Sequence, residues 1–110
     1  MVLVFKTQIE IYTTKDGSPF IEWLESLDKT VRYRVKERLD RVRLGNFGDH
    51  KFVGDGVYEL RLVFGSGYRI YYSNKDGAVV LLLCGGNKPS QKKDIKKAIE
   101  YLKDYLAEQL

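Results

Sequence analysis

Two short stretches hold the residues best suited to chemistry. Tyr58-Glu59-Leu60-Arg61 and Tyr68-Arg69-Ile70-Tyr71-Tyr72 flank Gly65-Ser66-Gly67. In an extended chain neighbouring residues face opposite sides. Tyr58, Leu60, Leu62 and Phe64 therefore point one way, and Val57, Glu59, Arg61 and Val63 the other. A hairpin symmetric about Ser66 adds Tyr68, Ile70 and Tyr72 to the apolar set, and Arg69 and Tyr71 to the face of Glu59 and Arg61. A carboxylate, two guanidiniums and a phenol on one rigid face suit phosphate chemistry. Arginine grips phosphate oxygens through a planar fork, and a carboxylate can accept a ribose hydroxyl proton. The same residues also make an ordinary solvated face with a cross-strand ion pair. A bulge at Gly65 or Gly67 would turn Arg69 to the other side. Lys88 stands in a loop beyond an apolar strand, next to Gly85 and Gly86. Such loops often carry function, and exposed lysines are often merely solvated.

The elements that position these residues follow from pattern. Residues 2 to 12 are rich in Val, Phe, Ile and Tyr and read as a strand. Ser18 before Pro19 is an N-cap followed by a first-turn proline. Phe20, Trp23, Leu24 and Leu27 then give helical spacing over about 19 to 27. Asp28 opens a second helix with the stripe Val31, Val35, Leu39 and Val42, stopped by Gly45, so the two helices form a hairpin. Asn46 to Gly56 reads as a loop. Strands are expected over Val57 to Phe64, Tyr68 to Asn74 and Ala78 to Cys84, with the turn of the second pair at Lys75-Asp76-Gly77. Gly85 to Pro89 reads as a loop, and Ser90 as the cap of a terminal helix bearing Ile95, Ala98, Ile99, Leu102 and Leu106. The order is β-α-α-β-β-β-α, an α+β arrangement in one domain over residues 1–110.

Other chemistries lack their residues. The chain has one His and one Cys, so no disulfide or usual zinc site is expected, and no cofactor. The glycine-rich stretches lack the Lys-Ser/Thr ending of a P-loop. A Ser-His-Asp triad would need His50, which nothing in the sequence orients. The longest apolar run, Val79 to Cys84, is far short of a membrane span of about 20 residues. The N-terminus has no signal-peptide pattern, so the cytoplasm is the expected location. Net charge is +4, unevenly spread. Residues 8 to 28 sum to −4, residues 29 to 43 to +5 and residues 88 to 103 to +4. Such segregation suggests a surface field for a polyanion or an acidic protein partner. The second-helix arginines are by default a solvated face, and could equally meet phosphates or an acidic peptide.

Tyr58-Glu59-Leu60-Arg61, Gly67-Tyr68-Arg69-Ile70-Tyr71-Tyr72, and Leu81 through Lys88 followed by Asp94-Ile95 and Ala98 together resemble the RelE/ParE toxin superfamily. Within it the chain is similar to the HigB-like, phage-derived addiction-module killer group. The resemblance implies a RelE-like fold: a twisted antiparallel sheet packed by an N-terminal helical hairpin and a C-terminal helix. It implies the toxin of a type II toxin–antitoxin system, held in a hetero-oligomer by a cognate antitoxin that is often a helix-turn-helix protein. RelE and HigB types are ribosome-dependent, metal-independent mRNA endoribonucleases; ParE types inhibit DNA gyrase, and a binding-only relative is a third reading. By position, Arg61 and Arg69 match residues that hold the scissile phosphate, Glu59 a general-base carboxylate, and Lys88 a further basic residue. RNA contacts are expected of Tyr71, Arg38, Arg41, Lys92 and Lys93. Lys92, Lys93 and Asp94 stand where several RelE-type ribonucleases place a Tyr, or a His and a Tyr, leaving the general acid unassigned.

Overall fold

The computed structural model describes residues 6–110. It contains β1 (Gln8–Ile11), α1 (Pro19–Ser26), α2 (Lys29–Arg43), β2 (His50–Gly54), β3 (Val57–Leu62), β4 (Tyr68–Lys75), β5 (Val79–Asn87), a 3₁₀ turn at Lys88–Ser90 and α3 (Gln91–Glu108). The part of the expected first strand before Lys6 lies outside the described residues.

Capping sets the helical hairpin. The Ser18 hydroxyl accepts from Ile21 N–H at 3.2 Å, and the Asp28 carboxylate from Val31 N–H at 3.1 Å. Each satisfies one donor that the first turn would leave bare. Gly45, at φ 89°, ends α2. Its N–H reaches Val42 O and the Asn46 N–H reaches Arg41 O, both at 2.9 Å, the paired bonds of a Schellman stop.

The five strands run in the order β1-β5-β4-β3-β2. Pairing is antiparallel from β2 through β5, whereas β1 lies parallel to β5, with Gln8 opposite Val79. The sheet is thus mixed rather than wholly antiparallel. Hydrophobic period says which face a strand buries and nothing of its direction; β1 reaches β5 through the helices, free of any hairpin constraint. β2 also departs from expectation, since 46–56 was to be a loop. It is an edge strand whose first three residues are exposed, so it carries no buried alternation to betray it.

Two cores flank the sheet. Phe20, Val31, Val35, Leu39 and Val42 pack with Leu60, Leu62, Ile70, Tyr72, Val80 and Leu82, with Trp23 at the margin. On the other face Ala98 and Leu102 of α3 pack with Tyr12, Val57, Tyr71, Leu81, Leu83 and Cys84. A bulge opposite Tyr71 and Tyr72 leaves Leu83 as the extra residue of β5, which puts Leu83 and Cys84 together beneath α3. β5 continues through Gly85 and Gly86, where a loop was expected. The glycines are required there. A Cβ on Gly85 would collide with the Trp23 indole, and one on Gly86 with the Asp94 carboxylate. No helix among the described residues is long and apolar enough to cross a membrane.

Candidate functional site

β3 and β4 build the site. Arg61 lies opposite Arg69, Glu59 opposite Tyr71, and Leu62 opposite Tyr68. The hairpin is therefore centred on Gly65, one residue earlier than Ser66. That moves every pairing by two residues and keeps each side chain on its expected face. Gly65 and Gly67 take the positive φ values (57° and 77°) of the tight connection, and Arg69 stays beside Glu59.

Glu59 is the centre. Its Oε1 accepts from Arg61 Nε at 2.9 Å, and its Oε2 from Gln91 Nε2 at 2.9 Å, with Arg69 Nε 3.5 Å from the same Oε2. The Arg69 Nη1 also donates to Gly67 O at 2.7 Å. Burial alone would push the carboxyl pKa up. Hydrogen bonds from Arg61 and Gln91 and the charge of Arg69 outweigh it and hold the group below the usual carboxylate range. The Glu59 hydrogen bond raises the Arg61 pKa in turn. Like charges directly opposed on neighbouring strands are unfavourable, so two guanidiniums here need the carboxylate between them. One carboxylate leaves the pair with excess positive charge.

Donors are also in excess. Arg69 Nε and the Tyr71 hydroxyl are both buried without a completed hydrogen bond. Burial and the neighbouring Glu59 charge raise the Tyr71 pKa, which keeps it a neutral phenol. Access differs sharply among the three charged groups: the side chains of Arg61, Arg69 and Glu59 are 33%, 12% and 0% exposed. Anions from solvent can meet the arginines and not the carboxylate.

Lys88 joins this edge. It is exposed, its N–H reaches Ser66 O at 3.4 Å, and a Cβ on Gly67 would sit 3.2 Å from Arg69 Nη1 and 3.4 Å from the Lys88 Cβ. Glu59, Arg61, Arg69 and Lys88 are thus brought to one place at the β3–β4 turn and the start of α3. Lys92 and Lys93 are exposed on the first turn of that helix. Gln91, which contacts Glu59, was not singled out in the sequence; the one signal was that it opens the terminal helix three residues after Lys88. Ser90 sits at the N-cap position without a capping bond; its hydroxyl instead donates to Asp94, and Asn87 caps the 3₁₀ turn.

Three expected residues stand in other surroundings than the sequence suggested. Glu59, expected as a general base, is fully buried with both oxygens already hydrogen-bonded. Tyr71 is wholly buried beneath α3 and offers no surface to RNA. Arg38 is buried rather than solvated. Its guanidinium donates to Arg61 O at 2.6 Å, Phe47 O at 2.8 Å and Asp49 O at 2.8 Å, tying α2 to β3 and the loop before β2. Arg41 is exposed on α2, across the sheet from the arginine pair. His50 is exposed in β2 with Nδ1 2.8 Å from Gly48 O. Burial pushes the Cys84 thiol up to about 12, which leaves it unreactive. Among the described residues no three His, Cys, Asp or Glu side chains group as metal ligands.

Comparison with known proteins gives this geometry its context. Residues 22–103 match the family described as "Phage derived protein Gp49-like (DUF891)". An uncharacterized protein of Haemophilus influenzae is 49% identical over 92 residues, covering 82% of this chain and 89% of its own. Among solved structures, a mutant of the E. coli toxin RelE in the free state, with two of its arginines replaced by alanine, superposes with a TM-score of 0.65 at 21% identity, covering 86% of this chain and 96% of that one. The chain therefore belongs to the Gp49-like family of phage-derived proteins, and its fold is that of RelE.

Proposed function

We propose that this protein is the toxin of a type II toxin–antitoxin system and that it cleaves mRNA on the ribosome. The observation that carries the reading is the cross-strand pair of Arg61 and Arg69, only half neutralised by one buried carboxylate and reaching solvent beside Lys88. The family and the RelE-like fold support a toxin. In the proposed reaction a ribose 2′-hydroxyl gives its proton to solvent water and its oxygen attacks the adjacent phosphorus; the bond from phosphorus to the 5′-oxygen breaks, that oxygen takes up a proton from water, and a cyclic phosphate is left. Arg61 and Arg69 hold the non-bridging oxygens and stabilise the charge that grows on them. Lys88 steadies the backbone or the departing oxygen. Glu59 is a positioning residue: with Gln91 it fixes the guanidinium planes so that little reorganisation is left for the transition state.

A site whose carboxylate is locked has little acid–base power of its own. Orientation of mRNA by the ribosome would then supply much of the acceleration, and free RNA should be a poor substrate. Primer extension on mRNA from a translating extract tests this. Discrete cuts that vanish in Arg69→Ala are expected. Uncut mRNA together with loss of gyrase supercoiling would replace the reading by ParE-type gyrase inhibition.

A further inference from the structure

Across the sheet from the arginine pair, α2 and the end of β3 enclose a groove. Arg34, Arg38 and Arg41 line one wall, Val63 and Phe64 lie on the other, and Glu37 is its one acid. The three arginines fall at i, i+4 and i+7 and so share a helix stripe. Arg38 is the inner member, spent on backbone carbonyls. Arg34 and Arg41 are exposed, and among the described residues neither has a carboxylate within 4.0 Å. The Arg34 guanidinium lies 4.6 Å over the Phe64 ring. Beside it Val63 is 87% exposed, a bare aliphatic residue on the wall facing the arginines.

We propose that this groove docks an acidic segment of a protein partner, with carboxylates on Arg34 and Arg41 and one aliphatic side chain on Val63. The inference rests on the toxin reading for the owner of that segment, the antitoxin. Charge complementarity selects the occupant: three guanidiniums against one carboxylate call for an anionic strand, and the apolar patch calls for a side chain that nucleic-acid backbone lacks. RNA is the poorer fit. Arg34 already covers Phe64, which leaves a base no aromatic face to stack on, and Val63 gives a base no hydrogen bond. Rim charges of this kind act mainly on the rate of association.

The test is an NMR titration of the ¹⁵N-labelled full chain with a short blocked peptide carrying Glu and Leu at helical spacing. A peptide with Ser in place of Leu and a short oligoadenylate serve as the other probes. Shifts concentrated at Arg34, Arg41, Val63 and Phe64 are expected, and weaker binding of the Ser peptide. The double variant Arg34→Glu/Arg41→Glu should bind at least about tenfold more weakly, and Val63→Ser should also lose affinity. Arg34→Gln/Arg41→Gln, milder at the same exposed sites, gives the same reading should the reversal fail to fold. Equal binding of the Ser peptide, tighter binding of oligoadenylate at these residues, or peptide shifts confined to the Arg61 face would overturn the proposal. Self-association of the chain abolished by Arg34→Glu would overturn it too, making a second copy the occupant. mRNA cleavage measured on the same preparation separates the two readings. Cleavage without peptide binding removes only the groove proposal; peptide binding without cleavage removes only the nuclease.

Discussion

Removing Glu59 and removing Arg69 should have different consequences, because the carboxylate is wholly buried while the arginines reach solvent. Glu59→Leu leaves two guanidiniums facing each other without a counter-charge. A loss of about 3 kcal/mol is expected in urea unfolding, at the low end for breaking a buried pair because Arg61 can turn to water. Arg69→Ala should leave the fold intact and lower mRNA cleavage by about 10²–10³, the cost of one preorganised donor. Arg69→Lys should recover only part, since an ammonium lacks the planar fork; single-turnover cleavage rates on ribosomes check both. The depressed Glu59 pKa also gives a pH signature. An unfolded glutamate titrates near about 4.3, so the stability from this site is full above that value. It is lost as pH falls through the lower folded value. The stability difference between parent and Glu59→Gln should therefore hold from pH 7 down to about 4.3 and shrink only below it, and a difference that stays constant there would show the carboxylate unpaired.

At the scale of elements, β5 and α3 are held at a distance that only glycine allows. Gly86→Ala would drive a methyl into Asp94 at the first turn of α3, which also carries Gln91. Overpacking of this sort costs about 1–3 kcal/mol, and here it should also lower cleavage by loosening the Gln91 hold on Glu59. Gly85→Ala, blocked by Trp23 on the opposite face, should cost similar stability with less effect on cleavage. Thermal melts and cleavage rates on the two variants separate the cases. Trp23→Asp should destabilise by several kcal/mol, as loss of a packed aromatic alone costs about 3–5 kcal/mol. Much of this architecture was legible in the sequence. Ser18-Pro19, Asp28 and Gly45 marked the helical hairpin, and the alternation from Val57 to Tyr72 put Glu59, Arg61, Arg69 and Tyr71 on one face even with the hairpin centre misplaced. Burial was less legible. Covering of Glu59 and Tyr71 depends on where α3 lands, which Gly86 decides. The fate of Arg38 depends on carbonyls contributed by Phe47, Asp49 and Arg61, and no periodicity shows these.

For the molecule as a whole, the sheet separates two basic surfaces. Arg61, Arg69 and Lys88 lie on the α3 side or its edge, and the α2 arginines on the other. A single partner that covers both must wrap an edge of the sheet. Association with such a partner should slow steeply with added salt while dissociation changes little, which stopped-flow mixing of the protein with its proposed antitoxin would show. The parallel pairing of β1 with β5 has a temporal meaning as well. Gln8 is made well before its partner Val79, and Glu59 before the Gln91 that steadies it. Non-local pairings of this kind close late. A nascent chain should therefore carry Arg61 and Arg69 before the shell that organises them has been made. Chains stalled at Asn87 should be cut readily by added protease, and full-length released chains should resist. A stalled chain as resistant as the finished one would mean that the N-terminal strand needs no late partner. With the late partner required and the proposed activity in hand, a newly made chain would leave the ribosome that built it before it could attack one.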